Sequence, residues 1–160
     1  MFAAFRALVY ASLFIGLFLV FIPGRILVRV GITPTDVIGL PEIVGLVAVA
    51  LGGALALACI VTFAVTGKGT PAPFDPPRRL VIAGPYRWVR NPMYIGAGIA
   101  LLGAALFYQS TALALYALGF LVITHLFVTL YEEPHLRQVF GPSYDEYRRT
   151  VHRWIPTWRS

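Results

Sequence analysis

Long uncharged runs dominate the chain, in place of the alternating or amphipathic periods of a soluble fold. Residues 7–22 (ALVYASLFIGLFLVFI) carry no charge and end at Pro23-Gly24-Arg25. Positions 43–67 are 25 uncharged residues, long enough for a membrane-crossing helix with some tilt. From Asn91 to Tyr131 the chain holds 41 residues without a formal charge. As one helix this run would be about 60 Å long, twice a bilayer core of about 30 Å, so it must fold back. Tyr108-Gln109-Ser110-Thr111 is the polar cluster near its middle and marks the turn. The pattern predicts an all-α, polytopic membrane bundle with spans at about 5–22, 42–66, 93–107 and 111–131. The third span is short, which implies tilt or an incomplete crossing. A loop over 67–92 and a tail over 132–160 complete a single domain.

Composition strengthens this reading. The chain is 58% hydrophobic and 12% charged, with mean hydropathy +0.76, against about 45–50% and 25% for soluble domains. Lipid must solvate part of so apolar a surface. No small-x-small cleavage site follows the first run, so it reads as a retained span rather than a secretory leader. Gly45, Gly52 and Gly53 suit close helix approach in the second span.

Four spans place both termini and the 67–92 loop on one side. That side collects Arg6, Lys68, Arg78, Arg79, Arg87, Arg90, Arg137, Arg148, Arg149, Arg153 and Arg159, eleven basic residues, while two, Arg25 and Arg29, fall opposite. The positive-inside rule makes the loop and tail cytoplasmic, as expected for a bacterial inner-membrane protein. The basic residues flank apolar spans rather than forming a soluble patch, so nucleic acid is not the implied partner. Cys59 is the sole cysteine and sits in an apolar run, which excludes a disulfide, a redox pair and a cysteine metal cluster and suggests a small core residue.

Four constellations carry candidate chemistry. Gly84-Pro85-Tyr86-Arg87-Trp88-Val89-Arg90-Asn91-Pro92-Met93-Tyr94-Ile95-Gly96 lies where the loop enters the third span, with Pro92 suited to a helix start. A basic and aromatic membrane anchor would look similar. Glu132-Glu133-Pro134 follows the fourth span, and two carboxylates at a helix C-terminal end oppose its dipole unless something cationic binds them. His125, Thr129, Glu132 and Glu133 fall at i, i+4, i+7 and i+8, so a regular helix puts them on one face, with His125 toward the bundle or a cavity. In the tail, the sequence predicts a helix over about 132–139, a Phe140-Gly141-Pro142 break, and a second helix over about 143–152. Ser143 and Glu146 form its capping box. Tyr144, Tyr147, Arg148 and Arg149 lie on it, and Trp154 and Trp158 suit interfacial anchors.

Gly-Pro-Tyr-x-x-x-Arg-(His or Asn)-Pro-x-Tyr-x-Gly, then an apolar hairpin, Glu-Glu, Phe-Gly-x-x-Tyr-x-x-Tyr and a closing Ile-Pro resemble the isoprenylcysteine carboxyl methyltransferases. The pattern is similar also to their bacterial homologues and, more distantly, to phospholipid N-methyltransferases. The resemblance covers about residues 66–158. It implies a membrane methyltransferase using S-adenosylmethionine on a lipidic acceptor, with cofactor held by Tyr86, Asn91, Pro92, Tyr94, Gly96, Glu132, Glu133, Tyr144 and Tyr147. Arg90 and Glu133 take catalytic roles, His125 lines the acceptor site, and no metal is implied. Where eukaryotic members carry histidine this chain has Asn91, which cannot act as a cation or proton shuttle at neutral pH.

The chemistry of these residues suits the implied cofactor. Carboxylates offset a sulfonium or ammonium charge, and aromatic faces contact a cation or stack on adenine. A carboxylate acceptor needs only orientation, for which a bidentate Arg90 is suited. An amine acceptor must lose a proton, which Glu132 or Glu133 can take. Carboxyl O-methylation is the leading expectation and phospholipid N-methylation its alternative. A sterol-reductase-like oxidoreductase and a non-catalytic membrane protein stand further off.

Overall fold

The computed structural model describes Val9 and residues 12–33, 38–67 and 80–157. Arg6, Lys68, Arg78, Arg79, Trp158 and Arg159, used above for orientation and anchoring, lie outside these residues. The described residues form helices joined by turns and short irregular segments, with no strand among them. α1 spans Ser12–Val30, α2 Leu40–Thr62, α3 Pro92–Phe107 and α4 Thr111–Phe127. α4 runs on through a π turn at Val128–Glu132 into α5, Glu133–Phe140, and α6 covers Pro142–Thr150.

α1, α2 and the helix that begins with α4 are long and apolar enough to cross a membrane, whereas α3 is shorter. At 16 residues, α3 is about 24 Å long. Leu46, Leu51, Leu57 and Val61 on α2, and Leu115, Val122 and Ile123 on α4, stand exposed. That suits lipid as solvent, since a soluble protein would cover such a surface. The protein is a multi-pass integral membrane protein.

α2 and α3 pack closest. A Cβ at Gly96 would lie 2.7 Å from the Gly52 carbonyl oxygen, and one at Gly103 would lie 2.7 Å from that of Gly45. Side chains there would force the backbones apart, so small residues set the contact. At one end of this pair the buried Glu42 accepts from the Gly39 amide at 2.8 Å and from the Gln109 side chain. Gln109 has φ 46°, a left-handed conformation that closes the turn between α3 and α4. Ser110 then caps α4 by accepting from the Leu113 amide at 3.3 Å. The predicted turn is therefore where the chain folds back.

Two boundaries differ from expectation. The sequence places the end of the first run at Pro23-Gly24, but α1 continues to Val30. A π turn at Ile15–Phe21 leads into Pro23, and the Ile22 amide bonds the Leu17 carbonyl five residues back. Proline lacks the amide that would reach the Phe18 carbonyl, and the Tyr116 hydroxyl on α4 donates to that oxygen instead, at 2.9 Å. The second correction concerns α6. It begins at Pro142 and its N-cap residue is Gly141, with no side-chain cap, in place of the Ser143–Glu146 box. Proline at the first helical position carries the right φ and needs no hydrogen bond. Gly141 makes the preceding turn at φ 51°.

The core follows these contacts. Ala97 and Leu101 of α3 meet Ala117 and Phe120 of α4, with Phe14, Phe18 and Leu19 of α1 against them. Cys59 is fully buried beside Val81 and Tyr86, the small core residue its sequence setting suggested.

Candidate functional site

The polar cluster lies at the end of the bundle opposite Glu42. It is built by joining the tail to the segment that enters α3. Gly84–Arg87 forms a single 3-10 turn, and Pro92 starts α3 one turn later. The Arg90 amide donates to the His152 carbonyl at 2.9 Å, and the Thr157 amide to the Trp88 carbonyl at 2.7 Å. Asn91 Nδ2 donates to the Arg153 carbonyl at 3.2 Å, and the Tyr147 hydroxyl to the Tyr86 carbonyl at 2.7 Å. Tyr144, Tyr147 and Val151 form a buried cluster backed by Leu80, Leu136 and Phe140. Segments some 60 residues apart in the chain thus share one surface, and Arg90 and Glu133 are carried to its centre.

Glu133 is 5% exposed and faces three guanidiniums. Arg153 binds it through two bonds, Nε to Oε1 at 2.8 Å and Nη2 to Oε2 at 2.7 Å. Arg90 Nη1 lies 3.0 Å from Oε1, and Arg148 Nε 4.0 Å from Oε2. Burial alone would raise the Glu133 carboxyl, but Arg153, Arg90 and Arg148 together hold it below its ordinary range. Arg90 is nearly buried too, and its Nε has no hydrogen-bond partner among the described residues.

Glu132 points elsewhere. Its Oε2 accepts from the Tyr94 hydroxyl of α3 at 3.1 Å, and Phe14 of α1 packs edge-on to the Tyr94 ring at 6.5 Å. Burial pushes the Glu132 carboxyl up to about 7; the Tyr94 hydrogen bond opposes the rise and the Glu133 charge adds to it. The two adjacent carboxylates are thereby split into one held below the ordinary carboxylate range and one pushed up to about 7.

A π turn stands just before the pair. The Glu133 amide bonds the Val128 carbonyl, five residues back, just before Pro134. A π turn inserts one residue into the helix and rotates the residues beyond it, and such turns recur at functional sites. Thr129 and Glu133 line one groove with Arg148 and Arg153, while Glu132 turns to α3. The single polar face expected from a regular helix is thus divided. His125 is exposed instead of facing the bundle, and its Nδ1 accepts from Trp154 Nε1 at 3.1 Å.

The structure brings together Tyr86, Arg90, Asn91, Glu133, Tyr144 and Tyr147, with Tyr94 and Glu132 alongside. Gly96 faces α2, where its missing side chain serves helix packing. Pro92 is fully buried at the start of α3. Arg153 counts only as a tail charge in the sequence, although it makes the strongest contact to Glu133. Its place just before the closing Trp-Ile-Pro is the one signal that marks it out. Among the described residues no cluster of metal ligands occurs.

A multi-pass helical bundle with an arginine-bound carboxylate and a second, near-neutral carboxylate at one membrane boundary is the class that fold and site define. The family profile for phospholipid methyltransferases, PEMT, matches residues 40–143, which include α2, α3, α4 and both glutamates. The chain belongs to this family. It is similar to phosphatidylethanolamine N-methyltransferases of Sordaria macrospora and Neurospora crassa, each 37% identical over 68 residues. The same enzyme of Talaromyces marneffei is 34% identical over 70 residues. These alignments cover 42–44% of this chain but only 7% of each relative. No solved structure matches the chain significantly.

Proposed function

We propose that the protein transfers a methyl group from S-adenosylmethionine to the amine of a phospholipid head group. The carrying observation is Glu132, a carboxyl held near neutrality against Tyr94 at the end of a lipid-exposed span. The family match and the names of the relatives support the same reaction class. The residues fit the donor. Arg90 has a buried Nε with no partner among the described residues, which suits the donor's carboxylate. Glu132 suits a cationic neighbour, and the half-buried Tyr94 ring beside it supplies aromatic surface.

When bound, S-adenosylmethionine supplies a methyl group on a positively charged sulfur. The protein's own part is alignment, water exclusion and proton acceptance. An ammonium has no lone pair, so the acceptor must lose a proton, and Glu132 can take it once ionised. Glu133 is saturated by arginines; its role is to hold Arg90 and the tail in place. Carboxyl O-methylation has less support here. The guanidinium expected to orient an acceptor carboxylate, Arg90, is assigned here to the donor's own carboxylate, with Glu133 against its Nη1. Membranes containing the protein, incubated with labelled donor, should yield lipid whose label stays non-volatile after mild alkali, on the deacylated head group. A methyl ester, released by mild alkali as volatile labelled methanol, would restore the carboxylate reading.

The polar cluster is proposed to face the cytoplasm, from the eleven-to-two distribution of basic residues. Cysteines placed singly at the exposed Arg87 and Arg149 should react with impermeant reagents only after the cytoplasmic side is opened. Native Cys59 is buried and should stay silent. Labelling of either position from outside would reverse the orientation.

A further inference from the structure

A groove of about 400 Å³ lies on the Glu133 side of the cluster, walled by Thr129, Glu133, Arg137, Arg148 and Arg153 among others. Its charges do not balance. The groove-lining Arg137, Arg148 and Arg153 are held by two carboxylates, Glu133 and Asp145, which leaves an excess of one positive charge. The arginines also differ in how firmly they are engaged. Arg153 spends its fork on Glu133. Arg137 reaches Asp145 at 3.0 Å but is 61% exposed. The carboxylate contacts of Arg148, to Asp145 and Glu133, are 3.9 and 4.0 Å, too long for well-made hydrogen bonds. Arg137 and Arg148 therefore keep donors to offer, and neither belongs to the motif that carries the family resemblance.

Exposed apolar side chains neighbour the groove-lining residues. Thr129 lies in the last turn of the span, and its neighbour Leu130 is 74% exposed. Val139, exposed, follows Gln138, which lines the groove. A ligand seated here meets apolar surface on one side and an unbalanced positive charge on the other. That combination describes an amphiphile with an anionic head.

We propose that Arg137 and Arg148 bind the phosphate of a phospholipid head group at the membrane surface, anchoring the acceptor by its phosphodiester. Planar guanidiniums pair with phosphate oxygens through two bonds at once, which Lys does not reproduce. The inference deepens the proposed function and rests on it for the identity of the lipid. It is tested by binding without turnover, so its failure is separable from failure of methyl transfer.

The test is calorimetric titration of the full chain in phospholipid-free detergent with dihexanoylphosphatidylethanolamine, with dihexanoylglycerol and with inorganic phosphate. The phosphatidylethanolamine should bind, and the glycerol lipid, which has the same tails without the phosphate, should bind far more weakly. The double substitution Arg137→Gln and Arg148→Gln should weaken phosphatidylethanolamine binding about tenfold or more, the loss of charge-assisted contacts. Arg149→Gln, outside the groove, should not. Both arginines are at least one-third exposed, so the variants should keep the wild-type unfolding temperature, which is measured alongside. Equal binding of the two lipids, or an unaffected double variant, overturns the proposal. Inorganic phosphate binding as tightly as the lipid overturns the membrane source of the ligand.

Discussion

Replacing Glu133 with glutamine is expected to destabilise the fold by roughly 3–5 kcal/mol, the usual cost of leaving a buried charge without its partner. The substitution keeps the shape of the side chain and removes only its charge. Arg90, nearly buried, would then face Arg153 and Arg148 with no negative charge between them. For a domain of this size the loss corresponds to a fall of about 10 °C in unfolding temperature. Methyl transfer should fall with it, because Arg90 and the tail lose their common anchor. The pH dependence has a definite sign. Glu133 is held below its ordinary 4.5 in the folded state, so its contribution is present above that value and is lost as pH falls through the folded value. Wild type and Glu133→Gln should therefore differ most at neutral pH and converge in acid. Thermal unfolding in detergent across this range checks it. Equal unfolding temperatures at neutral pH would show that the arginines do not depend on this carboxylate.

Glu132→Gln should behave in the opposite way. The variant keeps a partner for the Tyr94 hydroxyl but cannot accept a proton, so the rate of amine methylation should fall about 100-fold or more. In the wild type, a carboxyl pushed up to about 7 is protonated below that pH and idle as a base. The rate should climb as pH rises through about 7, and Glu132→Gln should lose that step. Stability should not suffer. A raised folded value means that Glu132 favours the fold most below 4.5 and progressively less as pH rises toward 7. Glutamine should accordingly be neutral or stabilising above neutrality. A pH–rate profile with matched unfolding curves separates the roles. An unchanged profile with retained activity would remove Glu132 from proton transfer, whereas lower stability with activity intact per folded molecule would make it a packing group.

The membrane class was legible in the sequence because it depends on run length and charge, which are local. Twenty-five uncharged positions cannot be hidden by a chain this short, and a 41-residue apolar stretch must turn where its polar residues stand. The motif order likewise exposed Arg90, Tyr94, Glu132 and Glu133 as a group. Their division of labour was not legible, because it depends on which neighbours the fold brings to each. Glu133 meets the arginines and Glu132 meets Tyr94 of α3, while the π turn before Pro134 shifts His125 off the face that a regular helix would share with them. Arg153 was equally hidden. It lies 20 residues from Glu133 in sequence, and only the stitching of the tail to residues 86–91 closes that distance. Hydropathy follows each segment's own solvent, so it can be read along the chain. Which carboxylate is charged depends on what a distant segment places beside it, and that is settled only when the tail docks.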